Sequence, residues 1–334
     1  MSQQSTDPWE AVDPPHASVL ETIGDTPMVA LQGTPDSIDV YAKLEAFNPG
    51  GSVKDRIGLY MLERMLEAGT LEPGGAVIEP TAGNTGIGLA IAANQLDLEA
   101  IFVVPERFSV EKQQLMAALG AEIVNTPTED GMDRAIEVAH ELADERENAV
   151  VPQQFENPLN VEAHYETTGP EIFGALDGEV GAVVAGCGTA GTLMGIARYG
   201  QEQAEPPYVV AVEPAGSLYG EFHGRSPEEG EYKTEGIGTH NIDVNELYEP
   251  ELVDELLSFD DRAIHAEVAR LAAEEGHLVA SSSAANSLAA REIAEQAAGG
   301  EIDLPYQSVV TLFPDGSDRY LSKGIYGDFE DWGE

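Results

Sequence analysis

The sequence predicts an α/β protein of three layers with largely parallel sheets, built as two subdomains. Three observations predict it: short apolar runs recur along the chain, segments of helical spacing lie between them, and 334 residues suffice for two subdomains. In order, the strand-length runs are 40–43, 76–78, 100–104, 122–124, 182–185, 208–212 and 309–313. Uninterrupted apolar runs suit strands covered on both faces, as parallel strands are. Residues 56–68 and 134–144 carry apolar side chains at helical spacing. A charged, glycine-containing stretch, 224–232, reads as a mobile surface loop, and no internal repeat or long linker interrupts the pattern.

Composition sets the environment. Sixteen basic residues against 61 acidic ones give a formal charge of −45, spread along the chain. Such a surface disfavours nucleic acids and anionic membranes, and its self-repulsion suits a cytoplasm of very high salt. One cysteine, Cys187, excludes an internal disulfide, and no Cys/His cluster suggests a metal. Residues 1–16 are polar, acidic and proline-containing, unlike a secretory signal, and no apolar stretch approaches a membrane span; a soluble cytoplasmic protein is expected.

Lys54 is one of only five lysines and lies within Asn48-Pro-Gly-Gly-Ser-Val-Lys-Asp-Arg56. Ser52 with Asp55 three residues on reads as a capping box, which puts Lys54 in the first turn of a helix. The positive end of the helix dipole there favours the neutral amine, which can form an imine with a carbonyl cofactor. A surface lysine in an ordinary cap would leave the same pattern. The next loop, Glu79-Pro-Thr-Ala-Gly-Asn-Thr-Gly86, follows the run 76–78 and precedes a helical pattern beginning near Ile87, so its donors gather at a helix N-terminus suited to a carboxylate or phenolate. Gly186-Cys-Gly-Thr-Ala-Gly-Thr192 lies between a buried strand and an apolar-periodic helix, an arrangement that cradles phosphate with backbone amides.

Two readings compete for that third loop. Gly186, Gly188 and Gly191 match a dinucleotide fingerprint, and Glu213 ends the next strand about where such sites keep an acid for ribose, which would make a nicotinamide-dependent oxidoreductase. That reading leaves Lys54 and the Asn84 loop unexplained. A single cofactor with an aldehyde, a phenolic oxygen and one phosphate explains all three loops, and that cofactor is pyridoxal phosphate. Leu278-Val-Ala-Ser-Ser-Ser-Ala-Ala285 fits it too, as a strand-to-helix transition with hydroxyls for an unprotonated pyridine nitrogen. A ring left unprotonated is a weaker electron sink, which favours elimination and replacement at the β-carbon over transamination.

Ile23-Gly-Asp-Thr-Pro27, the Lys54 segment, the Asn84 loop, Gln153-Gln-Phe155, Thr167-Thr-Gly-Pro-Glu171, the Gly188 loop, Glu235-Gly-Ile-Gly238 and Pro314-Asp-Gly-Ser-Asp-Arg-Tyr320 occur in one order. In them the chain resembles the cysteine synthase and cystathionine β-synthase family of fold type II pyridoxal phosphate enzymes, related in architecture to the tryptophan synthase β-subunit. Pro105-Glu-Arg-Phe-Ser-Val-Glu-Lys-Gln113, Thr234-Glu-Gly-Ile-Gly238 and Arg319-Tyr-Leu-Ser-Lys323 look most like the O-acetylserine-dependent cystathionine β-synthases.

The resemblance implies Lys54 as the imine-forming lysine and acid/base, Asn84 on the phenolic oxygen, and Gly188, Thr189, Ala190, Gly191 and Thr192 on the phosphate. It implies Ser282 on the pyridine nitrogen, with Thr81, Ala82, Thr85, Gln154 and Gly236 around the substrate. The reaction implied is replacement at the β-carbon of O-acetylserine or serine by sulfide or homocysteine; dehydratase-like β-elimination is the alternative. A homodimer is implied, with the cofactor between a smaller mobile subdomain, 44–154, and a larger one, 18–43 plus 155–326, flanked by tails 1–17 and 327–334. Ala82 replaces a serine common in the family, and Ala190, Ala280 and Ala284 replace glycines; an alanine at a left-handed position would be strained.

Overall fold

The computed structural model describes residues 15–226 and 230–332. In chain order, β1 (Met28–Ala30) and β2 (Asp39–Leu44) precede α1 (Lys54–Ala68), β3 (Ala76–Pro80), α2 (Asn84–Gln95) and β4 (Glu99–Pro105). Then come α3 (Val110–Ala118), β5 (Glu122–Thr126), α4 (Gly131–Asp144), β6 (Ala149–Val150), α5 (Leu159–Ala163) and α6 (Gly169–Ala175). The chain continues through β7 (Ala182–Gly186), α7 (Gly191–Gln201), β8 (Tyr208–Pro214), β9 (Glu255–Phe259), α8 (Asp261–Arg270), α9 (Ser281–Gly299) and β10 (Ser308–Phe313).

The strands form two sheets, one ordered β1-β2-β10-β7-β8-β9 and the other β5-β4-β3-β6. Only β1 with β2 is antiparallel; every other pairing is parallel, as the apolar runs predict. All seven predicted runs lie within strands. Sequence reading misses β1, β6 and β9, because β1 and β6 are too short for a pattern and β9 is a partly exposed edge strand.

Alternation along the strands builds a core on each face. In the larger sheet Val184, Val210 and Val212 pack toward α8 and α9, while Val183, Val209 and Ala211 pack toward α7. In the smaller sheet Val77, Phe102 and Val104 face α1 and α2, and Ile78, Ile101 and Val103 face α4. Each fully buried valine or phenylalanine stabilises the fold by about 1.5–3 kcal/mol. The result is three layers around each sheet, and the loops leaving the carboxyl ends of β3, β7 and β10 converge between them.

The predicted acidic tail is docked over its described part. Phe329 and Trp332 give it an apolar edge: Trp332 is buried and stacks on His265 with ring centroids 5.1 Å apart, and Lys233 Nζ donates to its carbonyl at 2.6 Å. Residues 333–334, residues 1–14 of the predicted N-terminal tail, and 227–229 of the predicted mobile loop lie outside the described residues. No described helix is long and apolar enough to cross a membrane.

Candidate active site

A cavity of about 360 Å³ lies where the loops converge. Its walls include Lys54, Thr81, Ala82, Asn84, Thr85, Gln154, Gly188, Thr189, Gly236 and Ser282. A companion cavity of about 40 Å³ shares Lys54, Gly188 and Thr189 and adds Ala190 and Thr192. Gly191 lies behind these walls, where a Cβ would stand 2.1 Å from Asn160 Oδ1.

Lys54 opens α1, but the expected capping box does not form. Ser52 Oγ accepts from the Lys54 amide at 3.3 Å, and the Asp55 carboxylate turns back to the Gly50 amide, closing the Pro-Gly-Gly turn. Lys54 Nζ has no hydrogen-bond or ion-pair partner among the described residues. Burial lowers its pKa from 10.5 to about 8. The direction matches the sequence expectation, and loss of water drives it.

α2 begins at Asn84, earlier than the Ile87 pattern suggests, because Thr81 Oγ1 accepts from the Gly83 amide at 3.2 Å and folds the loop into the helix start. Asn84 Nδ2 donates to Asp315 Oδ2 at 2.7 Å, and Arg319 Nη1 donates to Asn84 Oδ1 at 2.9 Å. Thr85 Oγ1 donates to Gln154 Oε1 at 2.7 Å. Gln154 is held from behind by Glu79, a buried carboxyl that accepts from the amides of Gln153 and Gln154 and is pushed up to about 7 by burial.

The third loop is fixed from outside so that its amides stay available. Gly188 admits no side chain, since a Cβ would lie 2.4 Å from the Gly236 carbonyl oxygen. Its own carbonyl accepts from Tyr219 OH at 2.9 Å and Asn245 Nδ2 at 3.0 Å. Thr189 Oγ1 accepts from Asn160 Nδ2 at 3.0 Å, and Thr192 Oγ1 lies 3.1 Å from His164 Nε2. Burial holds that histidine well below its ordinary pKa, hence neutral. Among the described residues the amides of Gly188, Thr189, Ala190 and Thr192 have no acceptor. Ala190 sits at φ 66°, the left-handed strain its replacement of glycine foretold.

Ser282 enters from the first turn of α9, 4% exposed, with no hydrogen-bond partner for its hydroxyl among the described residues. The strand expected before it reduces to one bridge, Val279 to Gly316. Glu213, which the dinucleotide reading assigns to ribose, turns instead toward Ser217 and the amides of Tyr219 and Gly220.

Sequence reasoning gave no role to several wall residues. Asp315, buried and with a raised pKa caused by that burial, binds Asn84 and accepts from Tyr320 OH at 2.6 Å. Lys112 and Glu235 meet across the mouth at 3.4 Å. All lie in motifs that carry the resemblance, yet no spacing announces that they converge. No group of His, Cys, Asp or Glu able to hold a metal occurs among the described residues.

A profile of the family described as pyridoxal-phosphate dependent enzymes matches residues 19–315. The chain belongs to that family. It is 45% identical over 310 residues to the O-acetylserine dependent cystathionine beta-synthase of Bacillus subtilis (strain 168), covering 92% of this chain and 97% of that one. It is 42% identical over 313 residues to a cysteine synthase of Helicobacter pylori (strain ATCC 700392 / 26695), covering 92% and 98%. The crystal structure of the O-acetylserine dependent cystathionine beta-synthase from Helicobacter pylori superposes with a TM-score of 0.84 at 41% identity, covering 94% of this chain and all of that one. A cysteine synthase structure from Entamoeba histolytica gives 0.86 at 33% identity over 95% and 93%. This pyridoxal-phosphate dependent enzyme therefore has the fold type II architecture and is of the cysteine synthase and cystathionine β-synthase kind. Its cavities suit the cofactor: an unpaired amine, an unpartnered hydroxyl and a set of free loop amides face the same connected space.

Proposed function

We propose that this enzyme replaces the acetoxy group of O-acetyl-L-serine with a thiol, making cysteine from sulfide or cystathionine from homocysteine. The observation that carries the reading is the unpaired Lys54 amine, with a pKa near 8, in a cavity that joins the free amides of the Gly188 loop. Pyridoxal phosphate bound there supplies an electron sink for the α-carbon of the amino acid.

The protein's own groups do the rest. The amides of Gly188, Thr189, Ala190 and Thr192 would hold the phosphate, with Gly191 letting α7 start close behind them. Ser282 Oγ would meet the pyridine nitrogen without charging it. Asn84 would reach the phenolic oxygen, and in doing so would exchange its present bond to Asp315. Thr81, Thr85 and Gln154, with the Ala82 amide and Gly236, would surround the substrate carboxylate.

Lys54 Nζ takes the α-proton and later returns it to the same carbon, a role open to an amine that is partly neutral near pH 8. The C–O bond to acetate breaks, a C–S bond forms at the β-carbon, and the thiol proton is released. Closing the smaller unit, 44–154, on the larger one would keep water from the reactive β-carbon. We place the enzyme in a high-salt cytoplasm on the strength of its charge, and as a homodimer on the family resemblance.

The test is a steady-state assay of the purified holoenzyme in molar KCl, with O-acetylserine or serine against sulfide and homocysteine. Acetate release matched by thioether or cysteine is expected. Pyruvate formed at the same rate with and without thiol would instead establish β-elimination.

A further inference from the structure

The wall that would meet the first substrate's carboxylate is thin. Thr81, Ala82, Gln154 and Phe155 border the Lys54 cavity on one side and a second cavity of about 370 Å³ on the other. With open space behind it, packing alone does not hold this wall in place. Ala82 carries no hydroxyl, and the Thr85 hydroxyl is spent on Gln154 Oε1 at 2.7 Å. That bond turns the Gln154 amide so that Nε2, which has no acceptor among the described residues, is the end left to donate.

Gln153, one residue earlier, sits at φ 56°, in the left-handed region that a residue other than glycine enters at a cost. Its carbonyl closes the following turn, accepting from the amides of Glu156 at 3.0 Å and Asn157 at 2.9 Å. Glu79 faces this turn from β3, because β3 pairs with β6 and the chain leaving β6 runs into it. The Glu79 carboxylate is 2% exposed and has no cationic partner among the described residues. It accepts from the Gln153 amide at 3.1 Å and from the Gln154 amide at 3.5 Å. A buried carboxylate without a cation is costly, and these two amides are what offsets the cost.

We propose that Glu79 is the positioning residue for the first substrate: it locks Gln153 in its left-handed conformation and so aims Gln154 Nε2 at the α-carboxylate of the amino acid bound in the Lys54 cavity. Glu79 borders the second cavity and not the first, so it acts through Gln154 and touches no substrate. The assignment rests on the β-replacement reading and adds the residue that sets affinity for its donor amino acid. Glycine at position 153 would take the same backbone conformation unaided, so the two positions should be coupled.

The test uses the holoenzyme in molar KCl, with acetate release measured as O-acetylserine or the thiol is varied. Glu79→Gln, which puts a donor where an acceptor oxygen stood, should lower kcat/KM for O-acetylserine about tenfold and leave kcat and kcat/KM for the thiol within about threefold. Gln153→Val, whose branched side chain disfavours the left-handed conformation, should reproduce that loss in a chain that keeps Glu79. Adding Gln153→Gly to Glu79→Gln should bring kcat/KM for O-acetylserine back to within about threefold of wild type, a recovery that a general loss of packing would not show. In the cofactor-free chain, hydrogen exchange of the Gln153 and Gln154 amides should be about tenfold faster in Glu79→Gln than in wild type. Unchanged kcat/KM for O-acetylserine in both single variants, equal losses with both substrates, or no recovery with glycine overturns the role of Glu79 and leaves β-replacement standing. No acetate release from wild type with any thiol overturns both.

Discussion

Lys54 concentrates the chemistry in one atom, and burial has a cost that can be measured apart from turnover. Its pKa falls from 10.5 to about 8, so between those pH values the folded, cofactor-free chain holds fewer protons than the unfolded chain. Stability should therefore rise with pH from about 8 to 10.5, with the burial penalty present in full below 8. Lys54→Met should raise the thermal midpoint of the cofactor-free protein at neutral pH, by about 1.5 °C for each kcal/mol recovered, and should remove the rise above pH 8. A lower midpoint in the variant would show that the amine has a stabilising partner. In the holoenzyme, Lys54→Ala should abolish turnover and the borohydride-reduced adduct, read by peptide mass spectrometry, while the fold persists. Retained turnover would remove Lys54 from the mechanism. At this scale the loop residues were legible because glycine, serine, threonine and asparagine at strand-to-helix junctions have a local meaning. Asp315 with Asn84, or Lys112 with Glu235, was not, since these partners are 231 and 123 positions apart and ordinary in their own neighbourhoods.

Among the elements, the crossing of α1 and α2 decides where Lys54 stands. A Cβ on Gly88 would lie 2.4 Å from the Lys54 carbonyl oxygen, and one on Gly58 would lie 2.4 Å from the Gly88 carbonyl carbon. Backbone meets backbone here, so neither helix can yield by turning a side chain. Gly88→Ala should cost about 1–3 kcal/mol in a denaturant titration and should also weaken cofactor retention, because the turn that carries Lys54 is what moves. Unchanged stability and retention would mean that the helices part freely. The same crossing explains a limit of sequence reading. The spacing in 56–68 shows a helix with an apolar face, yet the face that matters most to the site is a glycine contact with no apolar signal. Edge strands β1 and β9 escaped for the complementary reason: paired on one side only, they need no continuous apolar run.

For the whole molecule the governing quantity is charge. Sixteen basic residues cannot neutralise 61 acidic ones, and two of the buried ones serve the interior: Arg56 binds Glu45 and Glu171, and Lys43 binds Glu171. Most acidic side chains therefore lack a cationic partner, and their mutual repulsion opposes the compact state. Screening relieves it: from about 0.1 M to about 1 M salt the Debye length contracts from about 10 Å to about 3 Å, the distance of direct contact. Thermal midpoint and activity should both rise across that interval in KCl. The buried Arg56 and Lys43 pairs are shielded from solvent ions and should contribute nothing to the slope, so Lys43→Met should shift the midpoint by the same amount at both salt concentrations. Calorimetry of wild type and variant in both buffers checks the two statements together. A midpoint that does not move with salt would mean that the carboxylates are already neutralised in the folded chain, and would sink the halophilic reading without touching the enzymatic one.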